Sequence, residues 1–293
     1  MFRGAITALV TPFKDGKVDE QALRDLIEFQ IAGGIDGLVP CGTTGESPTL
    51  THDEHDRVIE ITIDAVKKRV PVIAGTGSNS TAEALRLTQH AYKAGADGAL
   101  IACPYYNKPT QEGLYQHFEL IAKNVPIPVV PYNIPGRTGV NMSPELIFRL
   151  SKIKNIAGVK EASGSLKQMN DVSDVCGPDF DVLSGDDGFT LPLMAIGGRG
   201  VISVVSNIAP ADMAAMVDAV DEGHLAKARE LHHRMSPLFD VLFIEVNPTP
   251  VKAALAIMEK IEYEYRLPLC KMAPSNYEKL KKVMENYGLI ASS

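Results

Sequence analysis

Lys160 stands at the end of the apolar run Ile156-Ala157-Gly158-Val159 and is followed by Glu161 and a Ser163-Gly164 turn. The run reads as a buried strand. A lysine there is unusual, because ammonium groups are rarely fully buried. Desolvation disfavours the charged form, so a lysine held in such a place presents a neutral, nucleophilic amine near neutral pH. The chemistry this allows is imine formation with a carbonyl substrate. A strand-end lysine that extends to water, or that pairs with Glu161, has the same local signature. Lys160 alone leaves both readings open.

Other chemistry-bearing residues also fall where apolar runs end. Gly42-Thr43-Thr44-Gly45-Glu46 places backbone N–H groups and two hydroxyls near a helix start, an arrangement suited to an anion. No Lys-Ser or Lys-Thr follows at the spacing of a nucleotide-binding loop, so a small carboxylate fits better than a triphosphate. A plain tight turn needs the same residue types. Tyr132 ends the run preceding that of Lys160, and a phenol beside a reactive amine relays protons while an imine forms and hydrolyses; a tyrosine packed at a barrel mouth reads identically. Arg137, in Pro135-Gly136-Arg137-Thr138-Gly139, offers a two-pronged donor for a carboxylate. Asp186-Asp187 with a histidine would suit a divalent metal and a different reaction class. His52 and His55 have metal-ligand spacing but no further ligand at a recognisable distance.

The elements that position these residues repeat. Apolar runs at residues 5–10, 37–41, 70–75, 98–102, 127–132, 156–160, 180–185 and 200–205 read as strands. Amphipathic stretches lie between them: a segment capped by Asp19 with Leu23, Leu26, Ile27 and Ile31 on one face, then 51–68, 80–93, 111–123 and one opening at Ser143-Pro144-Glu145. Ala32-Gly33-Gly34-Ile35-Asp36-Gly37-Leu38-Val39 is echoed by Ala94-Gly95-Ala96-Asp97-Gly98-Ala99-Leu100-Ile101, one pair of units later. Eight strands alternating with helices predict an α/β fold, a (β/α)8 TIM barrel. A doubly wound sheet fits less well, since Gly75-Thr76-Gly77 lacks the third glycine and later acidic partner of a dinucleotide site. Beyond about Ala209 only helical patterns remain, at 212–222, 225–242, 249–259 and 275–287. This predicts a barrel over 1–222 and a C-terminal helical appendage over 223–293. Whether that appendage packs on its own barrel or on a neighbour is open at this level.

Composition narrows the function classes. The 293-residue chain is 45% hydrophobic and 22% charged, as soluble globular proteins are, and its net charge of −7 does not favour nucleic acid or an anionic membrane as partner. No apolar run approaches the ~20 residues of a membrane span. The first strand begins almost at Met1, which leaves no room for a signal peptide and predicts a cytoplasmic protein. Cys41, Cys103, Cys176 and Cys270 are far apart, as free thiols are.

Three motifs together carry a family resemblance. Gly42-Thr43-Thr44-Gly45-Glu46, Tyr132-Asn133-Ile134-Pro135 and Gly158-Val159-Lys160-Glu161 resemble the signatures of the pyruvate-dependent class I aldolases, the superfamily of neuraminate lyases and dihydrodipicolinate synthases. The stretches 104–113, 137–139, 184–187 and 247–252 are similar to the dihydrodipicolinate synthase branch, and the likeness runs from about Phe2 to Leu289. What the resemblance implies is condensation of pyruvate with L-aspartate 4-semialdehyde, giving 4-hydroxy-tetrahydrodipicolinate in lysine and diaminopimelate synthesis. Lys160 would form the imine. Tyr132, Thr43 and Tyr106 would relay protons, with Tyr106 entering from a neighbouring subunit. Thr43 and Thr44 would hold the pyruvate carboxylate, Arg137 the semialdehyde carboxylate, and Gly185 and Ile202 would line the pocket. The resemblance implies no metal and no organic cofactor, and a homotetramer built as a dimer of dimers. Ser47, His52, His55, Asn79, Glu83 and Tyr105 match positions where some members bind lysine as an inhibitor. Pro48 departs from the small residue often found beside them. A neuraminate lyase or a 2-keto-3-deoxy sugar-acid aldolase of the same superfamily would share Lys160, Tyr132 and the pyruvate site, but those branches generally lack the arginine at 137. A catalytically silent sensor of pyruvate or lysine is the reading from outside enzymology.

Overall fold

The computed structural model describes residues 1–291. Among these, eight short parallel strands form the central sheet: β1 (Gly4–Ala8), β2 (Gly37–Val39), β3 (Ile73–Gly75), β4 (Gly98–Ala102), β5 (Val129–Asn133), β6 (Gly158–Glu161), β7 (Asp181–Ser184) and β8 (Gly200–Ser203). They pair in the order β2-β1-β8-β7-β6-β5-β4-β3. The two ends meet through a Leu38–Val72 bridge, where Leu38 N–H donates to Pro71 O at 3.0 Å. The ring is therefore a barrel, and the predicted architecture holds.

Alternation along each strand divides the side chains between two cores. Ile6, Val39, Ile73, Leu100, Val130, Leu183 and Ile202 fill the interior with Tyr132. Their neighbours Ala5, Leu38, Ala74, Ile101, Val129, Val182 and Val201 lie in the clusters shared with the surrounding helices. Except for β4, which matches its run of 98–102, the strands are shorter than the apolar runs that announced them. The second strand ends at Val39: Pro40 has no N–H to donate, although its carbonyl still accepts from Gly75 N at 2.9 Å, and Cys41 then adopts a left-handed backbone, φ 55°.

The surrounding helices are α1 (Glu20–Ala32), α2 (His52–Val66), α3 (Thr81–Ala94), α4 (Gln111–Asn124), α5 (Pro144–Ser151), α6 (Leu166–Cys176), α7 (Thr190–Ala195) and α8 (Pro210–Asp221). Asp19, Thr51, Ser80, Thr110, Ser143 and Ser165 each cap a helix by accepting a first-turn N–H. Such a cap contributes roughly 1 kcal/mol. The repeated Asp-Gly element has one geometry in both copies. Asp36 accepts from Ala5 N at 2.7 Å and returns its own N–H to Ala5 O at 2.8 Å; Asp97 does the same to Val72, at 2.9 and 2.9 Å. The carboxylate thus ties each incoming strand to its neighbour.

Three further helices come after the barrel: α9 (Leu225–Val241), α10 (Thr249–Ile257) and α11 (Pro274–Tyr287). The 222/223 division falls at a turn where Gly223 has φ 79°. Apolar contact continues across it: Leu231, Met235, Leu238, Leu255 and Leu280 share one buried cluster with Leu23, Leu26, Val201 and Met213. The helical region therefore packs on its own barrel. No described helix is long and apolar enough to cross a membrane.

Candidate active site

The barrel register sets Tyr132 opposite Lys160 across the β5–β6 pair. The Lys160 side chain is 5% exposed and holds Nζ 4.2 Å from the centre of the Tyr132 ring. Burial is the main influence on its amine and lowers its pKa to about 7; the Asp187 carboxylate opposes that shift and the Arg137 cation adds to it. Near neutrality a large share of Lys160 is the free nucleophile. Burial also pushes the Tyr132 phenol well above its ordinary range, so it keeps its proton and can donate it. Lys160 does not pair with its neighbour in sequence. Glu161 projects from the opposite face of β6, where it accepts from Ser163 N at 2.7 Å, Asn133 Nδ2 at 3.0 Å and Gln168 Nε2 at 3.3 Å.

Gly185 comes directly after β7 and donates its N–H to Glu161 O at 2.8 Å. A Cβ on it would come within 3.0 Å of Lys160 Cε and 2.7 Å of Ala162 Cβ. The bare backbone is what leaves the lysine its room. Ile202 is buried in the barrel interior, beside Ile6 in the β1–β8 register. Asp187 is buried; its Oδ2 accepts from Val204 N at 3.0 Å and Val205 N at 3.1 Å, while its Oδ1 has no partner. Among the described residues no three His, Cys, Asp or Glu side chains gather as a group that could hold a metal ion.

The Thr43-Thr44 loop leaves β2 between two left-handed residues, Cys41 (φ 55°) and Glu46 (φ 54°). Gly75, from the end of β3, presses against it so closely that a Cβ would lie 2.2 Å from Cys41 O. The anion expectation narrows here. The N–H groups of Gly45, Glu46 and Ser47 are bonded within the loop, and the chain continues into the three-residue turn Ser47–Thr49 rather than into an α-helix. Thr44 Oγ1 is buried and accepts from Asn247 Nδ2 at 3.0 Å. Thr43 faces a cavity of about 450 Å³ that Tyr132 and Arg137 also line. Arg137, on the single helical turn Pro135–Thr138, donates to Asn247 O at 3.0 Å.

The same cavity reaches Ser47, His52, His55, Glu83 and Tyr105. His52 Nε2 lies 2.8 Å from Glu83 Oε1, and Ser78 donates to the other Glu83 oxygen. These two bonds, Ser78 first, hold the Glu83 carboxyl below its usual range. His55 is buried with Nε2 2.9 Å from Gly75 O, and burial lowers its pKa to about 4, so it is a neutral donor. Asn79 accepts from Asn107 Nδ2 through its backbone oxygen at 2.9 Å. Pro48 is the second residue of the Ser47–Thr49 turn, a first-turn position where a missing N–H does no harm. Tyr106 is apart from all of these: it is 88% exposed and has φ 69°, a rare backbone for an aromatic residue.

The chain matches the Dihydrodipicolinate synthetase family over residues 1–287. It belongs to that family. A 4-hydroxy-tetrahydrodipicolinate synthase of Syntrophus aciditrophicus (strain SB) is 70% identical over 290 residues, 99% of this chain and 100% of its own. Among solved structures, the chloride-inhibited dihydrodipicolinate synthase of Acinetobacter baumannii complexed with pyruvate is 44% identical with a TM-score of 0.97, covering 99% of this chain and 100% of that one. The DHDPS of Cyanidioschyzon merolae with lysine bound is 42% identical with a TM-score of 0.96, covering 99% of each.

The family motifs leave unexplained several polar residues that the structure brings to the loop. Asn247 touches Thr44 with its side chain and Arg137 with its carbonyl. Lys252 reaches Glu46 at 2.5 Å with both side chains buried. The stretch 247–252 carries part of the family resemblance, yet no role attaches to any of its residues on that ground. One signal is available in the sequence: Lys252 is the lone charge in the otherwise apolar α10, Thr-Pro-Val-Lys-Ala-Ala-Leu-Ala-Ile.

Proposed function

We propose that this chain condenses pyruvate with L-aspartate 4-semialdehyde through an imine on Lys160, giving 4-hydroxy-tetrahydrodipicolinate. The observation that carries the reading is a buried, partly neutral Lys160 against the protonated Tyr132, at the strand ends where barrel enzymes keep their chemistry. The Lys160 amine adds to the pyruvate keto carbon, and loss of water leaves a protonated imine. That cation withdraws electrons, so the methyl carbon gives up a proton and becomes an enamine carbon. This carbon attacks the aldehyde, whose oxygen takes up a proton. Attack of the semialdehyde amine on the imine carbon then closes the ring and expels Lys160.

Tyr132 and Thr43 carry the protons in this scheme, completed by Tyr106 of a neighbouring subunit; its exposure fits a residue that acts outside its own chain. Thr43 and Thr44 bind the pyruvate carboxylate, Arg137 binds that of the semialdehyde, and Gly185 and Ile202 shape the pocket. The barrel (1–222) and helical region (223–293) act as one catalytic unit, in a homotetramer arranged as a dimer of dimers. Lysine is the effector, bound by Ser47, His52, His55, Asn79, Glu83 and Tyr105. The Glu83 carboxylate and the Asn79 amide would accept from its ammonium groups.

Purified protein incubated with pyruvate and borohydride is expected to gain a stable adduct at Lys160, and Lys160→Ala to lose both adduct and turnover. Turnover is expected with the semialdehyde and not with N-acetylmannosamine. Sugar turnover would move the chain to the sugar-acid branch, and full activity in Lys160→Ala would end the imine assignment.

A further inference from the structure

Three side chains from the C-terminal region reach back onto the segment that begins with Thr43 and Thr44. Asn247 donates to Thr44 Oγ1 at 3.0 Å. Lys252 Nζ lies 2.5 Å from Glu46 Oε1, the side chains being 1% and 0% exposed. Arg266 donates to Thr49 O at 3.0 Å and to both Glu54 oxygens at 2.6 and 2.7 Å. Lys252 is further enclosed by the Phe13 ring at 4.1 Å and the Tyr265 ring at 5.3 Å.

An apolar pair of similar volume would serve stability about as well as a buried ion pair. What the ion pair adds is a link of defined length and direction. Glu46 is two residues from Thr44 and holds a left-handed backbone, φ 54°, without being glycine. Its carbonyl accepts from Thr49 N and Thr49 Oγ1, both at 3.0 Å. Its position therefore determines where the loop turns, and only one of its carboxylate oxygens is bonded.

We propose that Glu46 and Lys252 are a positioning pair, through which the C-terminal helices set the placement of the Thr43-Thr44 loop and hence the binding of pyruvate. This rests on the pyruvate-imine reading above. Neither residue touches substrate; both act through the two threonines.

The test uses the full chain in two forms: Glu46→Gln combined with Lys252→Met, which removes both charges together, and Glu46→Asp, which keeps the charge but shortens the link. For both, the KM for pyruvate is expected to rise about ten-fold or more, because small misplacements are expensive in a preorganised site. Borohydride adduct at low pyruvate should fall in proportion, while the KM for the semialdehyde stays within about two-fold, a split that marks loss of one substrate's binding. An unchanged pyruvate KM in both forms overturns the proposal. So does a parallel rise in both KM values together with a lowered unfolding midpoint, the pattern of a purely structural pair. If the double form does not fold, Glu46→Asp decides on the same readouts. Wild-type protein that gives no adduct with pyruvate would instead bring down the imine reading itself.

Discussion

At the scale of single residues, the site depends on how far burial moves one amine. Lys160 binds its proton at pH about 7 in the fold against an ordinary 10.5, so the unfolded chain holds the proton more tightly. The penalty on folding is fully present below about pH 7 and fades as pH rises towards 10.5. Lys160→Met is therefore expected to stabilise the protein, by roughly 2–5 kcal/mol at pH 6 and by about 1–3 kcal/mol less at pH 9. Urea unfolding of both forms at the two pH values measures it. An equal gain at both would mean that the amine is not held neutral by its surroundings. Lysine at a strand end is a readable signal because its residue type clashes with its neighbours. The freedom of that lysine from Glu161 is not: it depends on Asn133 and Gln168, brought in from β5 and α6.

At the scale of elements, each strand end contributes one or two residues, and neighbouring ends must not collide. Gly185 passes the Lys160 stem with no space for a side chain. Gly185→Ala is expected to fold with a loss of about 1–3 kcal/mol from overpacking. On the imine reading it should lower kcat by about ten-fold or more, since a displaced amine would no longer meet the keto carbon squarely. Steady-state rates alongside thermal unfolding separate the two effects. Wild-type turnover would show that β6 and β7 yield without moving the amine. The strands and helices themselves are largely legible, since period-2 and period-3.6 patterns and cap residues are local. Thr51, Ser80 and Ser143 cap helices where their positions predict. Strand ends are less so, because Pro40 can offer only its carbonyl to the neighbouring strand and the left-handed Cys41 then turns the chain away before its apolar run is over.

At the scale of the whole molecule, one apolar cluster joins the barrel to the C-terminal helices, so the two are expected to unfold together. Two histidines sit inside this assembly. Burial lowers both His55 and His117 to about 4, from an ordinary 6.5. Their folded forms resist a proton that the unfolded chain accepts, so stability is lost as pH falls from 6.5 towards 4 and then levels off. Replacing His117, whose Nε2 is buried without a partner, is expected to reduce that acid loss. In His117→Gln, the fall in unfolding free energy between pH 7 and 4 should be smaller by about 1–3 kcal/mol. Denaturant titrations across that range would refute it by giving parallel curves for the two proteins.

Helices α6 and α7 are not among those the sequence patterns predict. The eight strands, the first five helices between them, several of their caps, the Asp-Gly repeat and the residue types at the strand ends are specified locally. They are written in spacing and polarity within a dozen residues, and in a barrel the strand ends converge whatever the loops do. Which residues meet is a property of the folded chain alone. Tyr132 faces Lys160 through the β5–β6 register, Thr43 and Glu83 share one cavity, and Asn247 and Lys252 bond to Thr44 and Glu46 about two hundred positions earlier. Contacts of that kind leave no periodic trace, because they are fixed by how the barrel closes and where the last helices come to rest against it.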